Sequence, residues 1–406
     1  MRAKLQSVVV LGLMLAAGTL AITPAATAAS PGWPDSTAAA FNLGGTVNGQ
    51  YVDSSGGVFT GNGQIVVDVD GAFTAGNPAF VTATGASKIA GEACIGQEKG
   101  TTPFPTLCDT TTVVTSSAPG NDPMYFSMLA GSSQPSNAPT NSCVDGGDFC
   151  HNFHGTATAG AIVGQPGVRY EGTDALRTAG AAVGARVFQI KIGGGDSTTG
   201  RIGWPHESVV DALYWINKVL SETSGYKGKI AAVNLSVSGG TLSESALCGA
   251  DGMKVDAAAA LLKAKGIAVV MAAGNDGIHG RGTWNCGPNI VRVGATNIAT
   301  PHTLTSYTNR GSSVVLHAPV GDANRAQENI LLLPWKSSGT FYVSGTSFAS
   351  PQVAGAYAVL RQKFGYTPTV DQLTALLQST GTPVTGTNAA ANAVDVNIKA
   401  ALNGTP

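Results

Sequence analysis

From about Arg186 onward, short apolar runs alternate with helical patterns, and that order leaves the chain few ways to fold. Val187 to Ile192, Ile230 to Leu235 and Ile267 to Ala272 read as strands. Glu207 to Leu220, with Val210, Leu213, Trp215 and Ile216 among its apolar positions, reads as a helix, as does the Ala-rich Lys254 to Lys265. Further strands are expected at Ile290 to Gly294 and Val314 to Leu316, and further helices near Ala349 to Lys363, Val370 to Leu377 and Val394 to Leu402. Repeated strand, helix, strand order implies an α/β fold, a mostly parallel central sheet covered by helices.

The first residues stand apart from that fold. Arg2 and Lys4 make a positive start, Val8 to Ile22 is an uncharged and largely apolar run, and Ala26-Thr27-Ala28 is a small-x-small cleavage signature. Residues 1–28 are therefore expected to be a secretory signal peptide, followed by an N-terminal mature segment at 29–60, a main domain at 61–402 and a tail at 403–406. Losing Arg2 and Lys4 leaves 21 basic against 24 acidic residues, a net charge of about −3. With so little charge and no basic excess, a nucleic-acid partner is not expected. The apolar content of 43% argues equally against a disordered chain. After signal cleavage no segment has the eighteen continuous apolar residues of a membrane span, so no membrane partner is expected either.

Export sets the reading of the six cysteines, Cys94, Cys108, Cys143, Cys150, Cys248 and Cys286. An even set in an oxidising compartment permits three disulfides among 15 connectivities, and pairing between sequence neighbours is the simplest. Cys94 to Cys108 would close 15 residues, a loop worth ~3 kcal/mol in the chain-entropy account. Zinc fits less well, because no C-x-x-C pair and no following His cluster is present. The stretch at about 100–147 is crowded with Ser, Thr, Pro, Gly and Asn, interrupted only by short apolar pieces such as Val113-Val114 and Tyr125 to Leu129. It reads as a long surface insertion pinned by its flanking cysteines.

Three short segments carry candidate chemistry. Gln64 to Gly71 is an apolar strand ending in a carboxylate, with Asp70 at the carboxyl edge where α/β sheets hold ligands and Asp68 inside the strand. His154-Gly155-Thr156-Ala157-Thr158-Ala159-Gly160 opens a small-residue helix with an imidazole that can titrate near neutral pH. Ser344-Gly345-Thr346-Ser347-Phe348-Ala349-Ser350-Pro351 sets a serine in the positive field of a helix start, with Gly345 allowing close approach to the backbone. Taken singly, each also fits a structural role: turn or calcium-loop carboxylates, a packed histidine, a helix cap. His151, His206, His279, His302 and His317 read as surface or structural residues.

In order, spacing and flanking residues, the three segments together resemble the subtilisin-like serine peptidases, or subtilases, whose triad runs Asp, His, Ser along the chain. The resemblance spans Gln64 to about Leu402, and Gly345-Thr346-Ser347-x-Ala349-x-Pro351 is its most specific part. It implies a subtilisin-like three-layer fold with helices on both faces of the sheet. It also implies Ser347 as nucleophile, His154 as general base and then acid, and Asp70 as the carboxylate that orients the imidazole. Asn275, in Ala272-Ala273-Gly274-Asn275-Asp276-Gly277, is similar to the family's oxyanion-hole donor, although locally it reads as well as a turn residue. Asn234-Leu235-Ser236-Val237-Ser238-Gly239 is similar to the segment whose backbone pairs with substrate, so Ser236, Val237, Ser238 and Gly239 are expected substrate contacts. Those residues also suit a strand end and a turn.

The chain departs from the family pattern in places. Gly71-Ala72 stands where a Ser or Thr and then Gly is usual, Asn77-Pro78 replaces His-Pro, Ala157-Thr158 replaces His-Val, Phe348 a Met and Gln352 a His. Asp70 and His154 lie 84 positions apart because of the insertion, which is expected to shape the cleft. Ala29 to Asp70 leaves no room for the folding propeptide of many secreted relatives, so disulfides, ions or another factor are expected to serve instead. The resemblance thus implies a secreted serine endopeptidase, extracellular or periplasmic and monomeric, that cleaves protein or peptide substrates through an acyl-enzyme without a cofactor. Calcium is the one structural ion expected, with no ligand set mapped. The alternative is a catalytically inactive subtilase scaffold used for binding. A serine esterase or amidase is a third reading, disfavoured in its α/β-hydrolase form because no Gly-x-Ser-x-Gly surrounds Ser347.

Overall fold

A computed structural model describes residues 43–46, 48–71, 73–99, 113–114, 124–129, 154–166, 179–196, 201–203, 206–322, 331–335 and 339–406. The signal segment expected at 1–28, most of the stretch at 100–147, and Cys108, Cys143 and Cys150 lie outside them.

One sheet organises the molecule. In chain order its strands are β1 (Ile65–Asp70), β2 (Ile89–Lys99), β3 (Val113–Val114), β4 (Met124–Leu129), β5 (Arg186–Asp196), β6 (Arg201–Gly203), β7 (Ile230–Leu235), β8 (Ala268–Ala272), β9 (Ile290–Thr296), β10 (Leu316–Pro319), β11 (Thr382–Pro383) and β12 (Val394–Asp395). Across the sheet they lie β11-β12-β10-β9-β8-β7-β1-β5-β2-β4-β3, with β6 paired to β5. Every pairing along the order from β12 across to β2 is parallel, and the antiparallel ones are β11 on β12, β2 with β4, β4 with β3, and the short β6 on the end of β5. The two apolar pieces of the insertion are β3 and β4, which extend the sheet beyond β2.

β1 lies at the sheet's centre, and its composition explains why. Its β-branched residues suit a pleated, doubly covered position, and all six of its residues are buried. Strand periodicity divides them: Val66 packs in the core on one face, while Ile65, Val67 and Val69 pack in the core on the other. Asp68 and Asp70 share the parity of Val66 and face its side. That side is covered by α1 (His154–Val163), α4 (Ser350–Phe364), α5 (Val370–Thr380) and α6 (Ile398–Leu402). The opposite face is covered by α2 (His206–Lys218) and α3 (Ala250–Ala264). The layers are therefore helix, sheet, helix.

All ten residues of α1 are buried, which its Gly, Ala and Thr content permits because the helix packs on β1, β5 and α4 at once. Lys88 fastens its far end, its Nζ donating to the carbonyls of Val163 at 2.6 Å and Val183 at 2.7 Å. After β1 the chain moves outward to β2 and returns to β5 on one side of β1, then crosses to β7 on the other side. The order reverses at β1, the place where open α/β sheets form a crevice at the strands' carboxyl ends.

Some boundaries differ from the sequence reading. The expected helix at Val394 to Leu402 is two elements: Val394 and Asp395 pair with Leu316 and His317 as a strand, and the helix starts at Ile398 behind the Asn397 cap. Val394 and Val396 alternate with Asp395 in a period that serves the sheet edge. The strand expected at Val314 to Leu316 begins at Leu316 instead, because Val314 closes a turn onto the Gly311 carbonyl at 3.1 Å. α3 starts at Ala250, earlier than Lys254, since its polar first turn carries no apolar period. Cys248 and Cys286, sequence neighbours among the cysteines, form a disulfide.

Candidate active site

Asp70 ends β1 at the switch point. Its Oδ1 accepts the Gly71 N–H at 2.6 Å and meets His154 Nδ1 at 2.7 Å, with both side chains buried. An ionised carboxylate only accepts, so Nδ1 carries the hydrogen and Nε2 keeps its lone pair. His154 can stand there because it is the first residue of α1, with small residues behind it that let the helix sit close to β1.

Ser347 lies in a short 3₁₀ turn, Thr346–Phe348, directly before α4, and is half-buried. Its neighbour Phe348 packs against the His154 ring with centroids 5.4 Å apart, so the imidazole stands beside the serine turn. Ser347 Oγ donates to the Ser236 carbonyl at 3.3 Å, and Ser236 Oγ donates to the Ser347 carbonyl at 2.7 Å. The turn is thereby laced to the segment that follows β7.

Asn275 follows β8 on an exposed turn. The turn is shaped by buried Asn309, whose Oδ1 accepts the Asp276 N–H at 3.0 Å and whose Nδ2 donates to the Ala273 carbonyl at 3.2 Å. The Thr346 N–H donates to Asn275 at 2.8 Å and the Thr346 hydroxyl at 2.9 Å. A backbone N–H can only donate, so the atom it meets is Oδ1 and the amide is fixed with Nδ2 left to donate elsewhere. Gly345 beside it has φ +124°, a left-handed backbone that favours glycine, and Asn275 Nδ2 is 3.4 Å from where a Cβ would stand.

The structure brings the remaining expected residues to the same crevice. Ser236 and Val237 are buried, Ser238 is half-buried and Gly239 is exposed with φ +73°. The Ser238 carbonyl accepts the Trp284 N–H at 3.1 Å, so this segment runs beside Thr283 and Trp284. Four further residues, each inside a quoted segment but given no role there, reach the centre: Asp68, Thr158, Asn234 and Ser350, all buried and joined in one hydrogen-bond chain. Burial, and then the neighbouring Asp70 carboxylate, push the Asp68 carboxyl well above the usual carboxylate range. Asp68 was visible only as a second acid in a strand. Asn234 and Ser350 sat inside quoted segments without a role. Among the described residues, no group of three or more His, Cys, Asp or Glu is placed to hold a metal ion.

Residues 148–396, more than half of the chain, match the model of the subtilase family. The chain belongs to the subtilase family. The match takes in His154, Asn275 and Ser347, while Asp70 lies before it. This subtilase is 32% identical over 225 residues to subtilisin-like protease 9 of Arthroderma otae, covering 55% of this chain and 46% of that protein. It is 27% identical over 265 residues to an extracellular protease of Xanthomonas campestris, covering 62% and 41%. The chain thus spans under half the length of these curated relatives. Among solved structures, a protease of Pseudoalteromonas arctica superposes with a TM-score of 0.58 at 21% identity, covering 91% of this chain and 96% of that one, which shows the shared fold.

Proposed function

We propose that this subtilase is a secreted serine endopeptidase that hydrolyses peptide bonds of proteins by acyl transfer. The observation that carries the reading is the Asp70 to His154 contact of 2.7 Å at the sheet's switch point, with the Ser347 turn packed against the same imidazole. In this mechanism Ser347 Oγ attacks the peptide carbonyl carbon while His154 Nε2 takes its proton. Asp70 holds the ring in the required tautomer and stabilises the imidazolium. As the tetrahedral intermediate collapses, the C–N bond breaks and His154 returns the proton to the leaving amine. Water then attacks the acyl-enzyme by the same route and frees Ser347. Asn275 Nδ2, turned by Thr346, would donate to the oxyanion of each tetrahedral intermediate. Ser236 to Gly239 would offer main-chain groups to an extended substrate, giving affinity that is largely independent of its side chains. The apolar start and the Ala26-Thr27-Ala28 signature support secretion, as does the name of the Xanthomonas relative.

The test is digestion of an unfolded protein such as reduced, alkylated casein by the purified mature chain. The wild type is expected to release internal peptides and Ser347→Ala none above background. Equal release by both would contradict the assignment of Ser347, and a folded wild type without release would contradict the activity.

A further inference from the structure

We infer that Asp68 is a positioning residue that holds the general base and the nucleophile in register through one buried hydrogen-bond chain. The inference rests on the serine-peptidase reading above and adds to it a residue that takes no part in the triad.

Asp68 and Asp70 are two positions apart on β1 and face the same helices, yet only Asp70 reaches His154. Asp68 uses both of its oxygens. Oδ2 accepts from the Thr158 hydroxyl at 2.8 Å, and Oδ1 accepts from Asn234 Nδ2 at 2.7 Å. Thr158 stands one turn after His154 on α1, its hydroxyl 3.2 Å from the His154 carbonyl and 3.5 Å from Asp70 Oδ2. This arm therefore reaches the first turn of the helix that carries the base.

The other arm reaches the nucleophile. Asn234 Nδ2 also lies 3.0 Å from Ser236 Oγ, which donates to the Ser347 carbonyl at 2.7 Å. Asn234 Oδ1 accepts from the hydroxyl of Ser350, three residues after Ser347, at 2.7 Å. Asp68 is the group that the two arms share, and Asp68, Thr158, Asn234 and Ser350 are completely buried. A buried network satisfied at this many points rigidifies what it touches, and removing its centre strands donors on both sides.

Chemistry at position 68 separates this role from plain core packing. Asparagine can keep both arms: its oxygen faces Asn234, and its Nδ2 donates to the Thr158 hydroxyl, which turns its own hydrogen to a carbonyl of the first turn. A protonated carboxyl makes the same pattern. Alanine keeps neither arm. Other ionisable groups on this face include Asp70 on the same strand, His154 on α1, Lys191 on β5, Glu92 on β2 and Lys88 against the far end of α1; β7 presents Asn234 to Asp68, β5 presents Gln189 opposite it, and Ser350 of α4 bonds Asn234.

The experiment measures kcat and KM on a peptide substrate, from pH 5 to 9, for wild type, Asp68→Ala, Asp68→Asn and Thr158→Val. Asp68→Ala is expected to lower kcat by roughly 10-fold to 100-fold with KM little changed, the signature of lost alignment. Asp68→Asn, which keeps both arms, should restore kcat to near wild type with KM little changed. Thr158→Val, which cuts one arm and preserves shape, should lower kcat even if Asp68→Ala does not fold. Wild-type kcat in Thr158→Val, or failure of Asp68→Asn to restore kcat, would overturn the inference. An inactive wild type would instead overturn the reading on which it rests.

Discussion

Asp68 and Asp70 show how little separates the carboxylate proposed for the triad from a buried neighbour on the same strand. Both face one side of β1, but the strand's end brings Asp70 under Nδ1 of His154, whereas Asp68 lies a step deeper between Thr158 and Asn234. Strand geometry made Asp70 the better sequence candidate, because a carboxyl edge opens on the crevice and a strand interior does not. Asn275 is a contrasting case. Its local sequence is equally that of a turn, and what gives it direction is the Thr346 N–H, 71 residues away in the chain. No periodicity carries such a long-range contact. If Nδ2 serves the oxyanion, Asn275→Ala should lower kcat by ~10² to 10³, the range such a donor supplies in subtilisin, with KM nearly unchanged. Steady-state kinetics on a peptide substrate check this, and a rise in KM at constant kcat would assign Asn275 to ground-state binding instead.

At the scale of elements, what the sequence disclosed depended on how far each segment's period was its own. β7 matched its apolar run to the residue, and α1 opens at the histidine that the small-residue run marked. The misread stretch from Val394 failed because strand and helix share a few residues there, and only pairing with Leu316 and His317 decides between them. Lys88 was equally silent in the sequence. Buried against the end of α1, its ammonium is pushed down to about 7 by loss of water, while its hydrogens serve two carbonyls. Lys88→Met should therefore cost about 1–3 kcal/mol by stranding those acceptors. The sign with pH follows from linkage: the unfolded chain holds the Lys88 proton up to its ordinary range near 10.4, and the folded chain releases it near 7. Stability from this group is present above that upper value and lost as pH falls toward 7. Urea unfolding at pH 7 and pH 9.5 should show wild type gaining over Lys88→Met at the higher pH, and parallel behaviour would contradict the buried-amine account.

At the scale of the whole molecule, the sheet order brings together residues from five distant parts of the chain, at Asp70, His154, Ser236, Asn275 and Ser347, at one crevice. Alternating strands and helices announced a parallel sheet, yet the reversal at β1 depends on which strands pair, which no local pattern records. The Cys248–Cys286 disulfide, with a sequence separation of 38, encloses α3, β8 and the Asn275 turn. A closed loop of that length is worth about 4 kcal/mol in the chain-entropy account. Cys248→Ser with Cys286→Ser should lower the thermal midpoint and shorten the half-life of activity on warming. An unchanged midpoint would mean that the loop is already ordered in the unfolded ensemble.

The account stands or falls on an activated serine at position 347. Intact mass spectrometry of the purified mature chain before and after a fluorophosphonate probe tests it most directly, with peptide mapping of the product. One adduct on Ser347 in the wild type and none in Ser347→Ala or His154→Ala is the expected result. A folded wild type that takes up no probe, or takes it up equally in Ser347→Ala, would contradict the account.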